Sequence, residues 1–334
     1  MTRASALLLA ALTALPFAAC SGTSGAVREP APDVEQRQRA LADEDARRLD
    51  FQAVLLQLDQ GMDSYVQALA NRGEPRADKQ AEQLEKLIRD LVLDDGLRTF
   101  RAGADGVRPP NAPPGENYRR LQAVASDGSN PNQQAIALAA LGFSGRREVM
   151  PLIVQGAMLS DPFVVDRAVL GLATLRAPDT PPGVLAAIVE RAEHPEDGRV
   201  QAAWALYRIQ GASPDPSEIV ALWRRFLTSE RDRMPPGVLM TAVRGLGLTG
   251  DDAHAELVAS FLQSPVPRIR MAAALAIGRM NAQDHWQELL ELLGPRETVQ
   301  NVRLHARKAL AALAGNEDYG YDVAAWRKVF ERGR

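Results

Sequence analysis

The sequence predicts an all-α protein, an α-solenoid of about six helical pairs preceded by a helical hairpin. Three observations predict it. Ala and Leu dominate the apolar residues and aromatics make up only 5% of the 334 residues. That mix favours helix, because Ala and Leu lead the helix scale whereas β-branched and aromatic residues lead the strand scale. From Asn117 onward, an apolar residue late in every second helix recurs at Leu141, Leu175, Ile209, Leu246, Ile277 and Leu313, spaced 31 to 37 residues apart. Around these positions stand IALAALG, VLGLATL, AAWALYRI, TAVRGLG, AAALAIG and KALAALA, Ala-rich strips suited to a helix packed closely on both sides. A chain of this length holds two compact domains or one long array, and the period decides for the array.

The first element is a processing segment, residues 1–19. Arg3 supplies a positive start and residues 4–19 an apolar run ending in small residues. The run falls short of the roughly 20 residues a spanning helix needs and fits the apolar region of a secretory signal. It stops at Ala18-Ala19-Cys20, which resembles the lipobox of bacterial lipoprotein signals. The resemblance implies cleavage before Cys20, a diacylglycerol on its thiol and an acyl chain such as palmitate on the new amine. Phe17 stands where that family usually has an aliphatic residue. Ser21 follows the Cys in place of the Asp that often retains such proteins at the inner membrane, so the expected location is the outer membrane, facing the periplasm. An ordinary signal peptide cut after Ala19 would instead leave Cys20 as a free thiol. Several acyl chains, at about 0.8 kcal/mol per buried methylene, make a stable anchor where one chain does not. As the single cysteine, Cys20 also excludes an intrachain disulfide framework and a Cys-rich zinc site.

Residues 20–33, small, polar and Pro-containing, read as a flexible tether. Residues 34–102 read as a helical hairpin. Phe51, Leu55, Leu58, Met62, Tyr65 and Leu69 alternate at spacings of four and three; Gly73 and Pro75 break the pattern; Leu84, Leu87, Ile88 and Leu91 then share one face of a second helix. The first stripe suits packing on a neighbouring helix or, alternatively, an oligomer seam. Residues 103–116, rich in Pro and Gly, read as a linker.

Residues 117–315 form the array. An amphipathic helix precedes each Ala-rich one, as at Val149–Ile153 and Leu289–Leu293, and the turns within pairs carry Asn130-Pro131, Asp161-Pro162, Pro195, Pro235-Pro236 and Pro265-Val266-Pro267. Proline is tolerated at the first turn of a helix, where its missing N–H has no intrahelical partner. Alternation of a Pro/Asp turn with an Ala-rich inner helix resembles HEAT repeats, particularly those of bacterial proteins. Residues 316–334 read as a capping helix. Gly320-Tyr321-Asp322 followed by Trp326 is similar to the closing segment of many bacterial HEAT-repeat proteins, with Val323 in place of a frequent Pro. Asp322 is expected to cap that helix, and Trp326 and Phe330 to cover the end of the array.

Catalytic patterns are missing. None of the four histidines, His194, His254, His285 and His305, lies four residues from another or precedes Glu. The His-Glu pairs with which HEAT-like deoxyhypusine hydroxylases bind iron are therefore lacking. His254 and His285 are expected as surface residues on neighbouring outer helices, and two histidines without a third ligand make no convincing metal site. No Gly-x-Ser-x-Gly elbow occurs, and Gly245-Leu246-Gly247 has too few glycines for a phosphate loop. The sequence therefore predicts no enzyme, no cofactor and no metal. Arg167, Arg199, Arg268, Arg270 and Arg303 recur near inner-helix starts and are expected to ladder onto acidic groups of the next repeat; the alternative is a strip that binds acidic peptides or a phosphate-bearing ligand. A net charge of -3 in an exported chain argues against nucleic acid.

The resulting expectation is a membrane-anchored scaffold in the bacterial cell envelope that binds unknown protein partners along the inner helices. Trp204, Tyr207, Arg208 and Arg244 are the candidate contacts, being of residue types common at binding hot spots. The alternatives are a permanent structural subunit of an envelope or secretion assembly, or an enzyme-like module related to chromophore lyases.

Overall fold

A computed structural model describes residues 32–70, 75–93 and 115–332. The predicted signal, Cys20, nearly all of the tether and residues 103–114 of the linker lie outside them. The chain divides into two units, residues 1–49 and 50–334. The described part of the first is the beginning of α1 (Pro32–Ala70). Residues 36–46, 48 and 49 are exposed there, and Arg48 pairs with Asp45 one turn away. The helix starts at Pro32, two residues before the expected boundary, as proline's acceptance in a first turn allows.

The second unit holds the rest of α1, then α2 (Pro75–Leu93) and six helical pairs. These are α3 (Glu116–Ser126) with α4 (Pro131–Gly142), α5 (Met150–Ala157) with α6 (Pro162–Leu175), α7 (Pro182–Glu190) with α8 (Glu196–Gln210), α9 (Ser217–Leu227) with α10 (Pro236–Thr249), α11 (Ala255–Ala259) with α12 (Pro267–Met280), and α13 (Trp286–Leu293) with α14 (Gln300–Leu313). Helix α15 (Val323–Arg332) closes the chain. No strand occurs among the described residues, and the architecture is an α-solenoid.

The breakers act as expected. Asn130 Oδ1 accepts the Gln133 N–H at 3.2 Å, and Asp161 Oδ1 accepts the Phe163 N–H at 2.9 Å, with Pro131 and Pro162 opening the helices that follow. The Ala-rich strips are explained by the second helices, which pack directly on one another from α4 through α6, α8, α10 and α12 to α14. They approach so closely that a Cβ on Gly247 would stand 2.6 Å from that of Ala276, and one on Gly278 2.9 Å from the Ala309 Cα. Larger residues from the first helices fill the other side. Trp223 of α9 is fully buried against α10, where Gly245 leaves room for its ring. Its indole N–H donates to Gln210 Oε1 at 2.7 Å, and Gln210 Nε2 donates to the Gly245 carbonyl at 2.8 Å, tying three helices together.

At the carboxyl end, Asp322 Oδ1 accepts the N–H groups of Ala324 and Ala325, both at 3.0 Å. Trp326 is fully buried and Phe330 stacks on Trp286 of α13, closing the apolar edge of the last pair.

Helices α1 and α2 dock on the first two pairs. Phe51, Leu55, Leu58, Met62 and Tyr65 are buried, so the stripe is covered within the chain. Burying a side chain of this size stabilises by roughly 1.5–3 kcal/mol. Tyr65 meets Phe143 edge-on at 5.1 Å, and Arg89 Nε donates to the Phe143 carbonyl at 3.2 Å. Ile88 is buried on α2, but Leu87 is 63% exposed. Adjacent positions on a helix point about 100° apart, so Ile88 takes the core and Leu87 turns outward.

Candidate functional site

Four of the second helices carry a stripe whose residues range from buried to exposed. On α6 it comprises Phe163, Arg167 and Leu170; on α8 Gln201, Trp204 and Tyr207; on α10 Met240, Arg244 and Leu248; on α12 Met271, Leu275 and Arg279. The spacing of three and four puts each set on one helix face.

The α6 stripe is partly covered by α1, with Phe163 left 43% exposed. Arg167 Nη2 lies 3.1 Å from Asp59 Oδ1 and 2.9 Å from Asp63 Oδ1, and Leu170 is 1% exposed. At the edge of this contact a cleft of about 320 Å³ is lined by Asp63, Val66 and Gln67 of α1, by α6, and by Gln201 of α8. Beyond Gln201 the stripes are open.

The four sequence candidates fall on these open stripes to different degrees. Trp204 and Tyr207 are half-buried on α8. Arg208 is buried, with its guanidinium carbon 5.1 Å from the Trp204 ring centre, so it supports the indole rather than facing a ligand. Arg244 is exposed on α10. Burial of its stem among neighbouring side chains pulls its guanidinium below the ordinary value; Tyr207 opposes that fall and the like charge of Arg279 adds to it. Trp204, Tyr207 and Arg244 therefore share one surface, and Arg279 joins them. Arg279, Met240, Met271 and Leu275 were not singled out from the sequence. The available signal was the charge distribution along the helices. Helices α10, α12 and α14 contain no Asp or Glu, whereas α9, α11 and α13 all do.

The recurring arginines near inner-helix starts are mostly structural, with different partners from those expected. Arg199 Nε donates to the Val189 carbonyl at 2.7 Å and Nη2 to the Arg233 carbonyl of the next pair at 2.9 Å. Arg303 Nε donates to the Leu293 carbonyl at 3.1 Å, the same ten-residue reach back to the end of the preceding helix. These helix ends present carbonyls without intrahelical donors, and the guanidinium satisfies them better than it would a distant carboxylate. Arg270 follows the expected pattern, bonding Glu297 of the following turn at 2.8 and 3.0 Å. That pair sits in a cleft of about 580 Å³ between residues 263–270 and 291–298. Arg270 also donates to the Ser264 carbonyl at 2.7 Å, so its donors are taken up by the fold. Arg167 serves α1, and Arg268 is exposed.

Surface placement of the histidines is corrected at His285, which is buried and lies 3.3 Å from Glu288; His254 is half-buried. His194 is also buried, 2.8 Å from Asp166, beneath Gly198, whose missing side chain leaves space for the ring. No group of three metal-ligating side chains occurs among the described residues, and no helix among them is long and apolar enough to cross a membrane.

Residues 225–311 match the family model of HEAT repeats, a span from the end of α9 into α14. The sequence matches no curated protein. The structure is similar to that of an engineered protein, 18% identical, with 59% of this chain and 96% of that one covered at a TM-score of 0.42. It is also similar to the CpcE–CpcF complex of phycocyanin lyase from Nostoc sp., 16% identical over 79% and 92% of the two chains at a TM-score of 0.36. Human deoxyhypusine hydroxylase is a third, 16% identical over 83% and 96% at a TM-score of 0.28.

Proposed function

We propose that this chain is a membrane-anchored scaffold of the bacterial cell envelope that holds partner proteins along its second helices. The observation that carries the binding role is the open surface made by Trp204, Tyr207, Met240, Arg244, Met271 and Arg279. On this surface apolar and cationic groups alternate outside the core of an otherwise tightly packed array. Repeat arrays of this kind bury partner segments along such extended faces, and aromatic and Arg side chains are the types that dominate binding energy. The anchoring role rests on Arg3, the apolar run 4–19 and the Ala18-Ala19-Cys20 sequence. Lipidation at Cys20, with Ser21 following, places the scaffold at the outer membrane, facing the periplasm.

Two measurements test the two halves. Cys20→Ala is expected to move the protein from the membrane fraction to the soluble one; retention in the membrane overturns the anchor. A photo-crosslinking residue at Tyr207 is expected to trap a partner in cells, whereas the same residue at Glu218 on α9 traps none. Equal trapping at both positions, or at neither, overturns the assignment of the binding face.

A further inference from the structure

The open stripes have a specific electrostatic character. After Asp197, in the first turn of α8, no acidic residue occurs on α8, α10, α12 or α14, whereas α10 and α12 present Arg244 and Arg279 from the stripe itself. The whole chain carries a formal charge of -3, so its negative charge lies elsewhere. On the same stripes stand Met240 and Leu248 of α10 and Met271 and Leu275 of α12, with Leu248 39% exposed. A face of this kind is complementary to a surface that is apolar along one line and negatively charged beside it.

The molecule contains one example of such a surface already seated on an equivalent stripe. Helix α1 places Leu58, Met62 and Tyr65 into the core at steps of four and three, and beside them Asp59 and Asp63, four apart, hold Arg167. Where α1 lies on α6, Leu170 is 1% exposed and Arg167 is paired, while Phe163 at the start of the stripe stays 43% exposed. Where α1 stops, the corresponding residues of α8, α10 and α12 remain partly exposed. Arg244 feels the like charge of Arg279, and among the described residues no carboxylate pairs with it, whereas Asp59 and Asp63 pair with Arg167.

We propose that the face of α8, α10 and α12 receives an amphipathic helix of a partner protein that carries Asp or Glu residues three or four positions apart beside an apolar stripe. The proposal rests on the scaffold reading above and adds the chemistry of the partner. Methionines at two of the apolar positions suit such a site, since their flexible thioethers adapt to different apolar side chains. Carboxylates docking on Arg244 and Arg279 gain charge-assisted hydrogen bonds in a partly desolvated setting.

The test uses the full chain against a display library of 20-residue, helix-favouring peptides of random charge. Selected peptides are expected to be enriched in Asp and Glu at spacings of three and four next to Leu, Ile or Phe. The strongest, labelled and measured by fluorescence anisotropy, is expected to lose at least tenfold in affinity for the Arg244→Glu/Arg279→Glu variant. It is expected to lose as much when its own carboxylates are changed to amides, while circular dichroism shows the variant folded. Selection of peptides without acidic enrichment, or binding unaffected by the double substitution, overturns the proposal and leaves the scaffold reading standing. A concentration-dependent dimer that the same variant abolishes makes the occupant a second copy of this chain and also overturns it. Failure to select any peptide overturns both readings.

Discussion

Gly142 and Gly171 meet backbone to backbone across α4 and α6: a Cβ on Gly142 would stand 2.1 Å from the Gly171 carbonyl oxygen. The obstacle is main chain, so no rotamer change relieves it. Gly142→Ala is therefore expected to destabilise by about 1–3 kcal/mol through overpacking, although alanine is the better helix former by up to about 1 kcal/mol. Gly183, also helical but with nothing within 4 Å of its would-be Cβ, is the control. Gly183→Ala should be neutral or stabilising by about 0.5–1 kcal/mol. Urea midpoints of the two variants, compared with wild type, decide the matter; equal shifts would contradict the close-approach account.

How much of this was legible in the sequence depends on the period of the signal. The Ala-rich strips repeat six times and their breakers five, so errors at one turn are corrected by the others, and the six pairs emerge as expected. The cap made by Asp322, Trp326 and Phe330 was equally readable, because capping and burial there are local. The destination of the hairpin was not. Nothing within residues 50–70 says that Asp59 and Asp63 meet Arg167, more than a hundred positions later. The arginine ladder was misread for a similar reason. Residue types suggest carboxylate partners, but Arg199 and Arg303 answer carbonyls at helix ends, which every sequence possesses and none displays.

The relay from Trp223 through Gln210 to the Gly245 carbonyl gives a second prediction. All three groups are buried, so a deleted donor leaves its acceptor without water to replace it. Trp223→Phe should lower stability by about 1–3 kcal/mol for the orphaned Gln210 oxygen, in addition to the lost ring volume. Trp223→Phe combined with Gln210→Met should cost less than the sum of the single changes, because the second removes the orphaned group. Strict additivity in a double-mutant cycle would show that the relay carries no coupling.

The Arg270–Glu297 pair predicts a pH dependence. Burial pushes the Glu297 carboxyl up, but the Arg270 guanidinium and the Val299 N–H together outweigh it and hold the group below its ordinary value of 4.5. The unfolded chain then binds the proton more readily. The pair's stabilisation is complete above the ordinary value and is lost as pH falls through the depressed one. Glu297→Gln should therefore lower stability near neutral pH and flatten the fall between about pH 5 and pH 3. An acid limb identical to that of wild type would remove Glu297 from the account.

The docking of α1 gives the last prediction, and it bears on how much inner-helix face the molecule exposes. Arg167 is 16% exposed and stands between Asp59 and Asp63. In Arg167→Glu three carboxylates would converge where one guanidinium now joins two. Like charges at this range in a partly desolvated site oppose docking, whereas Leu58, Met62 and Tyr65 favour it. The balance should tip locally rather than globally, because the later pairs bury their core mainly against one another. Amide hydrogen exchange followed by mass spectrometry is expected to speed up across residues 50–70 while α8 to α14 keep wild-type protection. Unchanged protection of 50–70 would mean that the apolar stripe alone holds the helix. The carboxylates would then lose their standing as the model for what binds at Arg244 and Arg279.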